Sequence, residues 1–305
     1  TEVGGKTSHS AILARALEIP AVLSIPNICE IVKDKDTAIV DGTEGDVYIN
    51  PDGDVISQYV IKREEFIRAQ AELKNFVGKA TLTADGKEVE LFCNIGTPKD
   101  AKKAIECDGE GIGLFRSEFL FMDKPHLPTE DEQFEAYKEA VETMSGKTVI
   151  IRTLDIGGDK EIPYMNLEKE ENPFLGYRAV RYCLANTDIY KTQLRGILRA
   201  SAFGTVKIMV PLVTCVDEIR AVKALVEECK MELTNEGISF DPSIQVGCMI
   251  ETAAASLIAD MLAKEEDFFS IGTNDLTQYT MSVDRGNAKV AYLYSAFQPA
   301  VLRSI

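Results

Sequence analysis

Four arginines and three acids stand out by where they fall in the chain. Arg116 follows Gly-Ile-Gly-Leu-Phe, and Arg152 and Asp155 follow Val-Ile-Ile. Glu251 follows Gly-Cys-Met-Ile, and the pair Asn274-Asp275 follows Phe-Phe-Ser-Ile-Gly-Thr. Arg178 and Arg285 lie at or just beyond a strand signal, or in a loop rich in glycine or proline. A guanidinium is a planar fork matched to phosphate and carboxylate. Each charge-assisted hydrogen bond contributes roughly 1.5–3 kcal/mol net. Four such groups on one rim can hold a small ligand carrying both anions, whereas any one alone reads as a surface ion pair worth about 0–1 kcal/mol. Glu251 and Asp275 offer hard oxygens that, beside a phosphate, suit Mg²⁺. Spacing alone leaves a structural ion pair with an arginine equally open.

His9 has a different setting, Gly4-Gly5-Lys6-Thr7-Ser8-His9-Ser10-Ala11, in the first turn of a helix expected over 8–17. Glycines allow a bulky anion to approach the backbone. Free N–H groups and the helix dipole favour negative charge there. A neutral imidazole is a nucleophile at neutral pH, so a phosphoryl group on His9 would be stabilised in place. Taken alone, His9 reads by default as a capping or core histidine. The only other histidine, His126, sits in Asp-Lys-Pro-His-Leu-Pro and reads as an exposed loop residue.

The elements that must position these groups follow a rhythm. Strand-like runs occur at 89–95, 111–115, 148–154, 206–213, 245–251 and 268–274. Helical patterns at 98–105, 130–144, 217–232 and 253–262 separate most of them, the mark of parallel βα units. The charged residues then fall at the C-terminal strand ends, which is the active-site face of a βα barrel. The stretch 81–305 is shorter than the roughly 250 residues of an eight-stranded barrel. We therefore expect a barrel lacking its last two units, with two exposed sheet edges and a doubly wound open sheet as the alternative. Residues 1–55 form a separate α/β block with short strands at 37–41 and 46–49, and 56–80 read as a charge-laced linker helix. The chain opens without methionine and stops on an apolar helical turn, so we expect a piece of a longer protein.

Composition narrows the class. The 305 residues carry 33 Lys+Arg against 49 Asp+Glu, a formal charge of −16. That argues against nucleic acid or an anionic membrane as partner. No apolar run approaches the ~18 residues of a membrane span. Seven cysteines without a Cys-x-x-Cys pair suggest scattered core thiols in a reduced, cytoplasmic protein.

Together these motifs resemble enzyme I of the bacterial phosphoenolpyruvate:sugar phosphotransferase system. The likeness rests on 4–15 around His9, Gly-Ile-Gly-Leu-Phe-Arg-Ser-Glu-Phe-Leu-Phe-Met at 111–122 and Arg-Thr-Leu-Asp-Ile-Gly-Gly-Asp-Lys at 152–160. Asn-Pro-Phe-Leu-Gly-Tyr-Arg-Ala-Val-Arg at 172–181 and Phe-Phe-Ser-Ile-Gly-Thr-Asn-Asp-Leu-Thr-Gln-Tyr-Thr at 268–280 complete it. The resemblance implies an α/β chain, a TIM-type (β/α)8 barrel lacking its last units, preceded by part of a swivelling phosphohistidine domain and a linker helix. It implies transfer of a phosphoryl group from phosphoenolpyruvate (PEP) to His9, release of pyruvate, and onward transfer to the phosphocarrier protein HPr for sugar uptake. Arg116, Arg152, Arg178, Asn274, Asp275 and Arg285 would bind PEP, Glu251 and Asp275 would bind Mg²⁺, and Lys160 and Asn172 are weaker candidates for the site wall. The family dimerises through its barrel. Two departures stand out: no cysteine here occupies the family's proton-donor motif, and Gln298 stands at a usual histidine position. A fragment of this kind is expected to be impaired. Other readings are a PEP-utilising enzyme of the pyruvate phosphate dikinase or PEP synthase type, and a fragment that only binds PEP.

Overall fold

The computed structural model describes the chain except residues 3–13, 15–18, 123, 158–161, 166 and 288. His9, most of the expected helix 8–17 and Lys160 therefore lie outside the described residues. The rest divides into two units, Thr1–Lys79 and Ala80–Ile305.

In the first unit, β1 (Ala38–Asp41) and β2 (Asp46–Ile49) pair antiparallel with Asp41 opposite Asp46. The Asp41 carboxylate accepts from the Thr43 and Glu44 amides and so closes the turn. The long helix runs Gly53–Leu73, starting three residues before the expected position. Asp52 explains the early start, because its side chain accepts from Val55 N at 2.9 Å and caps the first turn. None of this helix's residues is buried.

The second unit holds six strands: β3 (Phe92–Ile95), β4 (Gly111–Arg116), β5 (Val149–Arg152), β6 (Val206–Val210), β7 (Gln245–Ile250) and β8 (Phe269–Ile271). They hydrogen-bond in chain order, every neighbouring pair parallel. A doubly wound sheet reverses its order at a switch point, so the sequential order selects the barrel-type arrangement. Curvature shows at the rim, where Asp155 after β5 and Asp275 after β8 both face one guanidinium nitrogen of Arg178, at 2.7 and 3.6 Å. Three spacings of a flat sheet would set those strands about 14 Å apart.

Helices cover the outer face. Thr187–Ala200 buries Tyr190, Leu194, Ile197 and Leu198, a 3–4 residue spacing that makes one apolar stripe. Thr129 and Glu132 form a reciprocal capping box at the start of Glu130–Thr143. Two expectations shift. The helix expected over 253–262 breaks at Ile258 into Ala253–Leu257 and Ala259–Leu262. The strand expected over 268–274 is only Phe269–Ile271, and helix Thr273–Met281 begins at once. Of the cysteines, Cys183, Cys229 and Cys248 are core thiols and Cys93 is half-buried against the core; Cys29, Cys107 and Cys215 are exposed. Among the described residues, no helix is long and apolar enough to cross a membrane.

Glu266, a half-buried acid with buried carboxyl oxygens, is expected to make stability depend on pH. Both carboxyl oxygens of Glu266 are buried without a hydrogen-bond partner. Burial pushes its pKa up to about 8, with Asp267 and Glu265 adding to the rise and Lys223 opposing it. Lys223 spends its ammonium on the Glu265 carbonyl. The folded pKa lies above the ordinary value near 4.3, so the native state holds the extra proton. Its contribution is present at low pH and is lost as pH climbs from about 4.5 to about 8. Glu266→Gln should be neutral at pH 5 and more stable than the parent at pH 9, by about 1–3 kcal/mol after discounting for partial solvation. Thermal unfolding at the two pH values checks this, and an equal gain at both would contradict it.

Candidate active site

β4 ends at Arg116 and β5 at Arg152, and the two stand opposite each other in the parallel register. From there a chain of ion pairs crosses the rim. Arg152 Nη2 donates to Glu118 Oε1 at 2.6 Å and lies 3.0 Å from Asp155 Oδ2. Arg178 Nη2 donates to Asp155 Oδ1 at 2.7 Å and lies 3.6 Å from Asp275 Oδ2. Arg285 Nη1 lies 3.3 Å from Asp275 Oδ1. The charges alternate along the row Glu118, Arg152, Asp155, Arg178, Asp275, Arg285, three of each sign. Burial works against the charge on Arg152 and Arg178, and the flanking acids more than offset it, so both guanidiniums stay charged.

Arg178 sits in no strand. It precedes helix Val180–Ala185, and its neighbour Ala179 has φ 52 and ψ −128, a strained backbone for a residue with a Cβ. Its Nη1 donates to the Tyr279 hydroxyl at 3.3 Å, and that hydroxyl donates to the Phe174 carbonyl at 2.5 Å. Gly157 makes room for it, since a Cβ there would lie 2.6 Å from Arg178 Cβ.

Arg116 is different. It stacks on Phe119, 5.1 Å from the ring centroid, and its Nε is buried without a partner. Among the four rim arginines it is the one with no ion pair to a described residue.

Glu251 follows β7 and is buried. Its Oε1 accepts from Leu212 N at 2.6 Å, with Leu212 in the left-handed region at φ 56. Burial and the nearby charges of Asp155 and Asp275 push its pKa up to about 7, against the pull of Arg152. The two acids therefore answer the question the spacing left open in different ways. Asp275 is ion-paired to arginines, and Glu251 has no ion pair among the described residues. A buried carboxyl held back by two neighbouring acids is a donor that a divalent cation would relieve. Among the described residues no group of three or more metal-ligating side chains occurs. Mg²⁺ asks less, taking one or two carboxylates and completing its shell with substrate oxygens and water, so the pair Glu251 and Asp275 fits it.

Asp275 lies in the first turn of helix Thr273–Met281 and not at a strand end as expected. Asn274 beside it is exposed, and its carbonyl and Oδ1 accept from the Tyr294 hydroxyl at 3.1 and 3.4 Å. Asn172 is exposed in a 3₁₀ turn, its carbonyl accepting from Leu175 N. The structure thus brings Arg152, Arg178, Asp275 and Arg285 into one row, with Arg116 opposite Arg152 in register. Sequence reasoning missed Glu118 and Tyr279. Both carried a signal: Glu118 is two residues beyond Arg116, and Tyr279 lies four beyond Asp275 on one helix face.

Comparison with known proteins gives the chain a family. Residues 70–305 match the family described as "PEP-utilising enzyme, PEP-binding domain". The chain belongs to the PEP-utilising enzymes. Residues 1–45 match a second description, "PEP-utilising enzyme, mobile domain". Among curated PEP-utilising relatives, the phosphoenolpyruvate-protein phosphotransferase of Bacillus sp. (strain S) is 54% identical over all 305 residues, which cover 53% of its length. Proteins of the same name from Staphylococcus carnosus and Bacillus subtilis are 53% and 51% identical over the whole chain. The chain spans about half the length of the curated relatives it matches.

Proposed function

We propose that this chain is the PEP-binding part of a phosphoenolpyruvate-protein phosphotransferase, with His9 as the phosphoryl acceptor. The observation that supports it most is the row of alternating, mostly buried charges across the rim, beside an arginine with no ion pair to a described acid. PEP carries a phosphate and a carboxylate. Arg116 supplies a positive charge that no described acid pairs with, and Arg285, the outermost member of the row, can turn from Asp275 to a ligand at low cost because its side chain is 35% exposed. Arg152 and Arg178 are held rigidly by their acids, so their remaining N–H groups are aimed before a ligand arrives. Asn274 offers an exposed amide beside Asp275.

The row is neutral as a unit, and PEP is about a trianion. Glu251 and Asp275 would hold Mg²⁺, which when bound offsets charge on the phosphoryl group and the departing enolate. Phosphoryl transfer depends on positioning and charge stabilisation more than on covalent work by the protein. In the reaction the bond from phosphorus to the enol oxygen breaks and a bond to an imidazole nitrogen of His9 forms. The enolate takes a proton to become pyruvate. The phosphohistidine then serves HPr in the cytoplasm, and the whole protein acts as a homodimer through its barrel. Residues 1–55 carry the histidine, 56–80 link, and 81–305 bind PEP.

Incubation with PEP and Mg²⁺ followed by intact-mass and peptide analysis tests this. One acid-labile phosphoryl group on His9 is expected, absent from His9→Ala, which should still bind PEP in calorimetry. Absence of both the label and PEP binding would overturn the reading.

A further inference from the structure

Gln193 lies in the middle of the apolar stripe of Thr187–Ala200, where sequence pattern alone would place a leucine. It is 1% exposed. Every hydrogen-bonding group of its amide is used. Nε2 donates to Ser117 Oγ at 2.9 Å and to the Tyr137 hydroxyl at 3.1 Å, and Oε1 accepts from Leu154 N at 2.8 Å. Ser117 Oγ in turn donates to the Arg152 carbonyl at 2.6 Å.

The location explains the need. The β4–β5 ladder ends at the pair Arg116 and Arg152. The next amide, Thr153 N, turns to Met209 of β6. Leu154 N, two residues beyond the last β4–β5 pair, donates to Gln193 Oε1. The side-chain amide so supplies an acceptor where the ladder has ended. Its Nε2 meanwhile grips Ser117, the residue after Arg116. One buried amide thus bridges the two strand ends just past the arginines and just before Asp155.

We infer that Gln193 is a positioning residue for anion binding. It fixes the separation of Arg116 and Arg152 and the aim of Asp155, through Ser117 and Leu154, without touching the ligand. The inference rests on the reading of this rim as a PEP site. Arg116 makes it consequential: among the described residues its placement is set by the backbone of β4 and the Phe119 ring.

Gln193→Met keeps the length and burial and removes all three hydrogen bonds; Ser117→Ala cuts the same bridge from the other side. Both are compared with the parent chain at 25 °C, with folding verified by circular dichroism. Calorimetry with PEP and Mg²⁺ gives the Kd, and amide hydrogen exchange reports Leu154. We expect each variant to weaken PEP about tenfold, and the double variant to weaken it no more than the worse single, because both cut one link. Faster exchange should be confined to Leu154 and its neighbours in Gln193→Met, with the ladder amides of β5 still protected. A glutamine that only fills space would lower Tm and leave the Kd of the folded protein unchanged. That result, or additive losses in the double variant, overturns the inference. A parent chain that does not bind PEP overturns the underlying reading instead, and the two failures are told apart by the parent titration.

Discussion

Arg152→Ala is expected to remove PEP binding and to destabilise the second unit by about 3–5 kcal/mol, whereas Arg116→Ala should remove binding with little loss of stability. The difference follows from what each guanidinium touches. Arg152 is 7% exposed and stands between Glu118 and Asp155. Deleting it takes from two buried carboxylates the guanidinium they share, with Asp155 keeping only its contact to Arg178 in the row, and breaking a buried ion pair is costly. Arg116 pairs with no acid among the described residues, so its removal strands no described charge, and the stacking on Phe119 that is lost is worth about 0.5–1 kcal/mol. In a domain of this size the Arg152 loss corresponds to a fall in Tm of roughly 10 °C. Arg152→Lys should fall between the two in stability, because an ammonium keeps the charge but cannot fork between two acids, and should still bind PEP poorly. Thermal unfolding and calorimetric titration of the three variants separate these effects. Equal destabilisation by Arg116→Ala and Arg152→Ala would show that the alternating row is not what holds the rim together.

The same row shows where the sequence was readable and where it was not. Short apolar runs ending in a charged residue located Arg116, Arg152 and Glu251 on the rim, because a strand buried on both faces can carry charge only where it emerges. Strand order followed from the repeat of strand and helix. The pairing did not. Asp155 and Arg178 are 23 residues apart in the chain, and nothing local to either predicts a 2.7 Å contact. Asp275 looked like a strand-end residue because the apolar run Phe-Phe-Ser-Ile continues to Gly272; the helix that starts at Thr273 ends the strand early. Gln193 was invisible for a related reason. Periodicity marks it as buried and says nothing of the amide that needs it. The local pattern encodes which residues face inward, and the partners of the polar ones are set by how the strands close around one another.

Close approach, too, is written in single glycines, and it gives the second large effect. A Cβ at Gly272 would lie 2.7 Å from both Cβ and Oε2 of Glu251 and 2.8 Å from Met249 Sδ. Glu251 cannot swing aside without giving up its 2.6 Å bond from Leu212 N, and the contact at its Cβ cannot be relieved by a rotamer change at all. Gly272→Ala should therefore cost about 1–3 kcal/mol by overpacking and weaken Mg²⁺-dependent PEP binding by about a hundredfold, since displacements near 1 Å at a reacting site carry losses of that order. Gly157→Ala should do the same through Arg178, with backbone strain added because Gly157 has φ 98. Gly237→Ala separates the two causes. That glycine has φ 71 at the end of helix Val216–Glu236, with nothing within 4 Å of an added Cβ. It should lose about 1 kcal/mol from left-handed strain and keep the parent's affinity. If Gly272→Ala bound PEP and Mg²⁺ as tightly as Gly237→Ala does, Glu251 would have no part in holding the ligand, and the assignment of the rim's acids would have to be rebuilt around Asp275 alone.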